Sequence, residues 1–166
     1  MTTTTGSTAP EESSDELPAG LGDDFGWLLA RAVRAYLGAA ADVTEDLPGG
    51  LRGHQLLRAV ARGCPATQLA LASALGFDRT VVTYLVDDLE KAGLVERLLD
   101  PADRRVRQVS ATAAGRKRLA ALDRRLAKVQ EQVLAGLSTE EVDGLTAALR
   151  AIACTATRAA QPDDAC

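Results

Sequence analysis

Two groups of residues stand out for the chemistry that their types allow. Arg79, Thr80, Val81, Thr83 and Tyr84 follow Asp78, and Arg104, Arg105 and Arg107 follow the pair Asp100 and Asp103. Guanidinium groups pair with phosphates and with the acceptor edge of guanine, and the methyls of Thr80 and Val81 suit the methyl of thymine. Other reactive groups are few. His54 is the sole histidine, so a Ser-His or Cys-His pair or a multi-histidine metal site would have to form around one imidazole. Cys64, Cys154 and Cys166 are an odd set without C-x-x-C spacing, which argues against a disulfide framework and a cysteine zinc site. No acid, base or oxyanion arrangement accompanies Cys64 or His54. The sequence therefore points away from an enzyme, and calls for no metal or cofactor.

The charge distribution favours a polyanionic partner. The net charge of −4 conceals a split: residues 50–128 contain 15 Lys and Arg against 8 Asp and Glu, a net +7, and the remainder nets −11. Attraction to phosphate is local, so an acidic chain with a basic middle remains suited to nucleic acid. A length of 166 residues, 46% of them hydrophobic and 25% charged, fits one domain of ordinary size. No apolar run approaches the roughly 18 residues of a membrane span, and the N-terminus has neither the basic start nor the apolar stretch of a secretory signal. A cytoplasmic protein without membrane partners is expected.

The elements that must position these residues follow from hydrophobic spacing. Residues 1 to 20 are too polar to offset the entropy of ordering and read as a flexible acidic tail. After Asp23 and Asp24, Phe25, Leu28, Leu29, Ala32, Val33, Tyr36 and Leu37 recur at helical spacing, and the helix stops before Leu47-Pro48-Gly49-Gly50. A second helix runs from Leu51 to Arg62 and ends at Gly63-Cys64-Pro65. A short third helix starts with Thr67 as cap and ends at Gly76. Asp78 caps a fourth, with Val82, Leu85, Val86 and Leu89 buried and Gly93 closing it. Residues 94–98 and 107–111 alternate as strands around a polar tip, which makes a hairpin with basic residues at its end. Thr112 caps a long helix whose Leu119, Leu122, Leu126, Val129 and Val133 form a coiled-coil seam. Ser138 to Glu141 form a capping box, with Leu137 and Val142 as its staple, and Val142, Leu145, Leu149, Ile152 and Ala156 repeat the seam. Two such seams suit either a helical hairpin within the chain or, preferably, a two-fold dimer interface built from both ends of the chain.

The segment from Asp78 through Thr80-Val81, Leu85-Val86-Asp87, Leu89-Glu90-Lys91 and Gly93-Leu94-Val95-Glu96-Arg97, followed by Asp100-Pro101-Ala102-Asp103-Arg104-Arg105, resembles the MarR (multiple antibiotic resistance regulator) family of transcription factors. Thr67, Leu71 and Ala72 upstream and Thr112 with Gly115 downstream agree in order and distance, so the resemblance covers about Asp23 to Arg158. It implies a mainly α fold with a small β-hairpin wing, a winged helix-turn-helix flanked by N- and C-terminal dimerisation helices. The expected divisions are a tail to residue 20, dimerisation segments at 21–48 and 116–160, a DNA-binding lobe at 49–115 and a tail from 161. It also implies a homodimer on a pseudo-palindromic operator in double-stranded DNA. The fourth helix would enter the major groove with Arg79, Thr80, Val81, Thr83 and Tyr84. The wing would cover the minor groove, with Arg105 inserted, Asp103 steadying the loop, and Arg104 or Arg107 on phosphate. Arg116, Lys117 and Arg118 are further candidates for phosphate contact. Members of the family often carry a basic residue where this chain has Tyr84.

Members commonly respond to small phenolic or other lipophilic acids held between the dimerisation helices and the lobe, and the residues here that would line such a site are Trp27, Arg31, Tyr36, His54 and Arg58. Each also has a bland structural reading. The expected function is a regulator, a repressor released by such a ligand. The alternatives are a thiol-based redox sensor using Cys64, although the first helix has no cysteine, and a winged helix serving as a protein-docking module, against which the exposed arginines weigh.

Overall fold

A computed structural model describes residues 17–62, 66–100 and 103–160. Six helices and one hairpin follow in the order α1 (Phe25–Thr44), α2 (Gly50–Arg62), α3 (Gln68–Leu75), α4 (Arg79–Lys91), β1 (Val95–Leu99), β2 (Arg107–Ala111), α5 (Ala113–Val133) and α6 (Thr139–Ala160). These residues fall into two compact units that divide between Arg34 and Ala35.

The first unit holds the start of α1. Asp24 caps it, its Oδ1 accepting from the Trp27 N–H at 2.6 Å, which supplies one of the donors that a helix start leaves unpaired. Phe25, Leu29 and Val33 are exposed.

In the second unit, local signals set each boundary of the helix-turn-helix. Thr67 accepts from Ala70 N at the start of α3, and Gly76, at φ 64°, closes it in the left-handed region that glycine adopts without strain. Asp78 then caps α4 through Thr80 N at 2.7 Å. Val82, Leu85, Val86 and Leu89 form the buried stripe of α4. They join Leu56, Leu57 and Val60 of α2, Leu71 and Ala72 of α3, and Val95, Val109 and Ala111 of the hairpin in one core. Leu56, Leu57, Leu89 and Leu122 are fully enclosed there, each worth about 2 kcal/mol of transfer free energy.

The first strand lies one residue later than the sequence expectation of 94–98, and the second matches its expected bounds. Leu94 donates to the Leu89 carbonyl at 2.9 Å and so completes the close of α4, and the ladder begins at Val95, opposite Ala111. A further bridge, Ala66 to Val109, places the chain before α3 beside the hairpin. The turn at Gly63-Cys64-Pro65 lies outside the described residues.

The long helix α5 is tied to the lobe at its first turn. Thr112 Oγ1 accepts from Gly115 N at 2.9 Å and donates to the Gly93 carbonyl at 2.7 Å. The expected seam divides along its length. Leu119 and Leu122 belong to the lobe core, and Leu126 and Val129 are also buried, so this part of the seam is already covered within the chain. The face of α6 differs: Leu145, Leu149 and Ile152 are exposed. Ser138 and Glu141 form the capping box, with Ser138 N donating to Glu141 Oε2 at 2.8 Å and Glu141 N to Ser138 Oγ at 3.3 Å. Among the described residues no single helix is long and apolar enough to cross a membrane.

Candidate nucleic-acid interface

With its apolar stripe turned into the core, α4 presents Arg79, Thr80 and Tyr84 outward; Tyr84 is 66% exposed. Two other expected contact residues are placed differently. Val81 is half-buried and packs against the core. Thr83 is half-buried, and its hydroxyl donates to the Arg79 carbonyl at 3.0 Å. Sequence spacing misses this because i−4 bonding by threonine within a helix needs no special neighbour.

The start of α4 has a fixed electrostatic character. The Thr80 N–H, bonded to the Asp78 carboxylate, holds that carboxyl below the ordinary aspartate value of 3.8. The folded-state value is therefore the lower one, so the cap stabilises α4 above the ordinary range and loses its effect as pH falls through the lowered value. Asp78→Asn, which still offers an oxygen to the cap, is expected to make the chain less sensitive to acid. Melting temperatures of the two proteins, followed from neutral pH downward, should converge; parallel curves would remove the assigned role.

At the wing, the backbone N–H of Arg105 donates to Asp103 Oδ1 at 2.9 Å, and Val106 N donates to the Asp103 carbonyl at 2.9 Å. Asp103 thus folds the tip locally, an Asx-type turn. Arg104, Arg105 and Arg107 all project into solvent. Pro101 and Ala102 lie outside the described residues.

The wing and α4 are joined by a side chain that the sequence marks only as part of the family motif, with no partner assigned. Arg97 of β1 pairs with Asp87 and Glu90 of α4, and its own N–H donates to Glu90 Oε1 at 3.1 Å. Burial opposes the charge of this guanidinium, and the bonds to Asp87 and Glu90 outweigh it, so its pKa is raised. With its amide oxygen toward Arg97, Gln68 accepts from Nε and Nη2 at 3.1 Å each and donates to Thr83 Oγ1 at 3.1 Å. The two expected groups of DNA-contact residues therefore stand on elements bound to each other. The signal was the opposite charge of Asp87, Glu90 and Arg97, but nothing in one-dimensional spacing says that a strand residue folds back on the preceding helix.

The five residues expected to line a ligand site fall in different surroundings. Arg31 stacks on Trp27 with its guanidinium carbon 5.5 Å from the ring centroid. Tyr36 is half-buried on α1. His54 and Arg58 both turn to Asp123 of α5, His54 Nε2 at 2.8 Å and Arg58 Nη1 at 3.4 Å from Oδ1. Of the further phosphate candidates, Arg116 and Lys117 are exposed and Arg118 pairs with Asp46. Cys64 lies outside the described residues, and Cys154 is an exposed free thiol on α6.

A helix-turn-helix followed by an arginine-tipped hairpin is the architecture of a winged-helix regulator, and the comparisons with known proteins agree. The model of the MarR family matches residues 51–106. A transcriptional regulator of the MarR family from Rhodococcus sp. RHA1 superposes with a TM-score of 0.73 at 29% identity, covering 81% of this chain and 97% of that one. CouR from Rhodococcus jostii RHA1, solved bound to p-coumaroyl-CoA, gives 0.72 at 30% identity, covering 81% and 95%. A putative transcriptional regulatory protein for the hcr operon of Thauera aromatica is 28% identical over 139 residues, 82% of either chain. The chain belongs to the MarR family of transcriptional regulators.

Proposed function

We propose that the chain acts as a homodimeric repressor that binds a pseudo-palindromic operator and is released from it by a small aromatic or lipophilic acid. The observation that carries this reading is the pairing of an outward α4 face, Arg79, Thr80 and Tyr84, with a wing whose Arg105 is presented by Asp103 on an element braced to α4 through Arg97. Arg79 and Thr80 face base edges in the major groove, with Val81 and Thr83 supporting that face and Tyr84 reaching base or backbone. Arg105 enters the minor groove, where a guanidinium meets the strongest negative potential, and Arg104 and Arg107 hold phosphates. The lobe spans residues 49–115, and the helices on either side of it form the dimer.

The exposed apolar faces of α1, with Phe25, Leu29, Val33 and Leu37, and of α6, with Leu145, Leu149 and Ile152, support a second copy as partner, because solvent-facing rows of this kind are covered in stable assemblies. CouR's ligand, p-coumaroyl-CoA, favours an aromatic acid or its coenzyme A thioester as effector. The stacked Trp27 and Arg31 offer an aromatic face and a cation to such a molecule. His54 and Arg58 also pair with Asp123.

The test is the salt dependence of binding to the intergenic DNA beside the chain's own gene. Log affinity should fall with log salt by about 0.9 for each phosphate neutralised, and Arg104→Ala or Arg107→Ala should each lower that slope by about 1. Binding indifferent to salt, or no binding to that DNA, contradicts the proposal.

A further inference from the structure

Asp123 of α5 keeps 21% of its side chain exposed, and three groups from α2 converge on it. His54 Nε2 lies 2.8 Å from Oδ1, Arg58 Nη1 3.4 Å from the same oxygen, and Arg62 Nη2 3.2 Å from Oδ2. The three stand at steps of four residues, one row along α2. His54 itself is buried, and its Nδ1 has no partner among the described residues, so Asp123 is the one polar contact its ring makes. Five residues earlier on α5, Arg118 is paired with Asp46, in the turn that leads into α2.

These ties differ in kind from the packing around them. Leu119 and Leu122 hold α5 to the lobe by apolar contact, which is favourable but has no preferred direction of its own. A carboxylate shared by a buried imidazole and two guanidiniums does have one, because a shift leaves a buried polar group without its partner. Thr112 fixes the first turn of α5 on the lobe, and the cluster adds a directional tie about two turns further along, which holds the rest of α5 at one angle on α2. α5 continues into α6, the element proposed above to meet the second copy. Whatever fixes α5 on α2 fixes where each lobe hangs from the dimer, and so how far apart the two α4 helices lie.

We infer that Asp123 is a positioning residue that sets the half-site separation the dimer accepts. The inference rests on the dimeric DNA-binding reading and goes beyond it. The test uses the full chain and duplexes carrying its footprinted operator, with one, two or three base pairs inserted between the half-sites. The wild type should lose about tenfold in affinity for each of the first insertions, since the lobes are held rigidly at one spacing. Asp123→Asn should flatten this profile to about threefold or less across the same series, and Asp123→Glu should restore most of the sharpness. A role confined to stability would instead lower affinity equally at every spacing. Should Asp123→Asn fail to fold, Arg58→Gln with Arg62→Gln is measured in its place, since those side chains are 45% and 63% exposed and their loss leaves the core intact. An unchanged profile in the folded variant overturns the inference and leaves the proposed function standing; failure of the wild type to bind the operator overturns both.

Discussion

Gly115→Ala is expected to destabilise the protein by about 3 kcal/mol, the upper part of the range for forcing an extra methyl into a packed site. A Cβ at that position would lie 2.0 Å from the Leu94 carbonyl oxygen, 2.9 Å from its carbon and 3.2 Å from Leu57 Cδ1. The carbonyl cannot step aside cheaply. It accepts from Thr112 N at 3.1 Å, and Thr112 also ties Gly93 to the start of α5. The clash therefore strikes where α4 closes, the hairpin begins and α5 starts. Urea denaturation should show a lower midpoint at unchanged slope. Gly136→Ala is the control: a Cβ there meets nothing within 4 Å, and its stability should stay within about 0.5 kcal/mol of wild type. A loss below about 1 kcal/mol for Gly115→Ala would show that this approach is looser than described.

Arg105→Ala is expected to weaken operator binding by about 2 kcal/mol, roughly thirtyfold, while leaving the melting temperature unchanged. The side chain is exposed in the free protein, so its removal opens no cavity and strands no buried partner. Its backbone N–H still bonds Asp103, and the wing keeps its shape. Because a minor-groove guanidinium senses groove width more than base identity, the loss should be largest for operators with A·T-rich flanks. Arg79→Ala should weaken binding with a different pattern, by relaxing preference at one base pair in each half-site. An Arg105→Ala protein that binds as tightly as wild type would remove the wing from the interface.

These expectations rest on features that were unequally legible in the sequence. The caps were plain, because each is a local bargain between one side chain and the next few backbone donors: Thr67, Asp78, Thr112 and Ser138 all cap as their positions imply. The buried stripe of α4 followed from periodicity alone. The coiled-coil spacing of α5 was also real, but apolar periodicity states only that a face is buried and not by what; Leu119 and Leu122 go to the lobe of their own chain. The pairs that brace the interface were out of reach. Arg97 with Asp87 and Glu90, the Ala66 bridge to Val109, and Asp123 with His54, Arg58 and Arg62 join residues whose proximity is a product of the tertiary fold. For the same reason the sequence, which marks His54 and Arg58 as candidate ligand-lining groups, does not show that both also reach the carboxylate of Asp123, 69 residues from His54 along the chain.

The central claim is that two copies of this chain hold duplex DNA, with α4 in the major groove and Arg105 in the minor groove of each half-site. A footprint of the full chain on its own intergenic DNA tests it most directly. Two protected major-groove segments are expected about one helical turn, roughly 34 Å, apart, each flanked by minor-groove protection that disappears with Arg105→Ala. A single protected half-site bound by one subunit, or protection that is unaltered by that substitution, would contradict it.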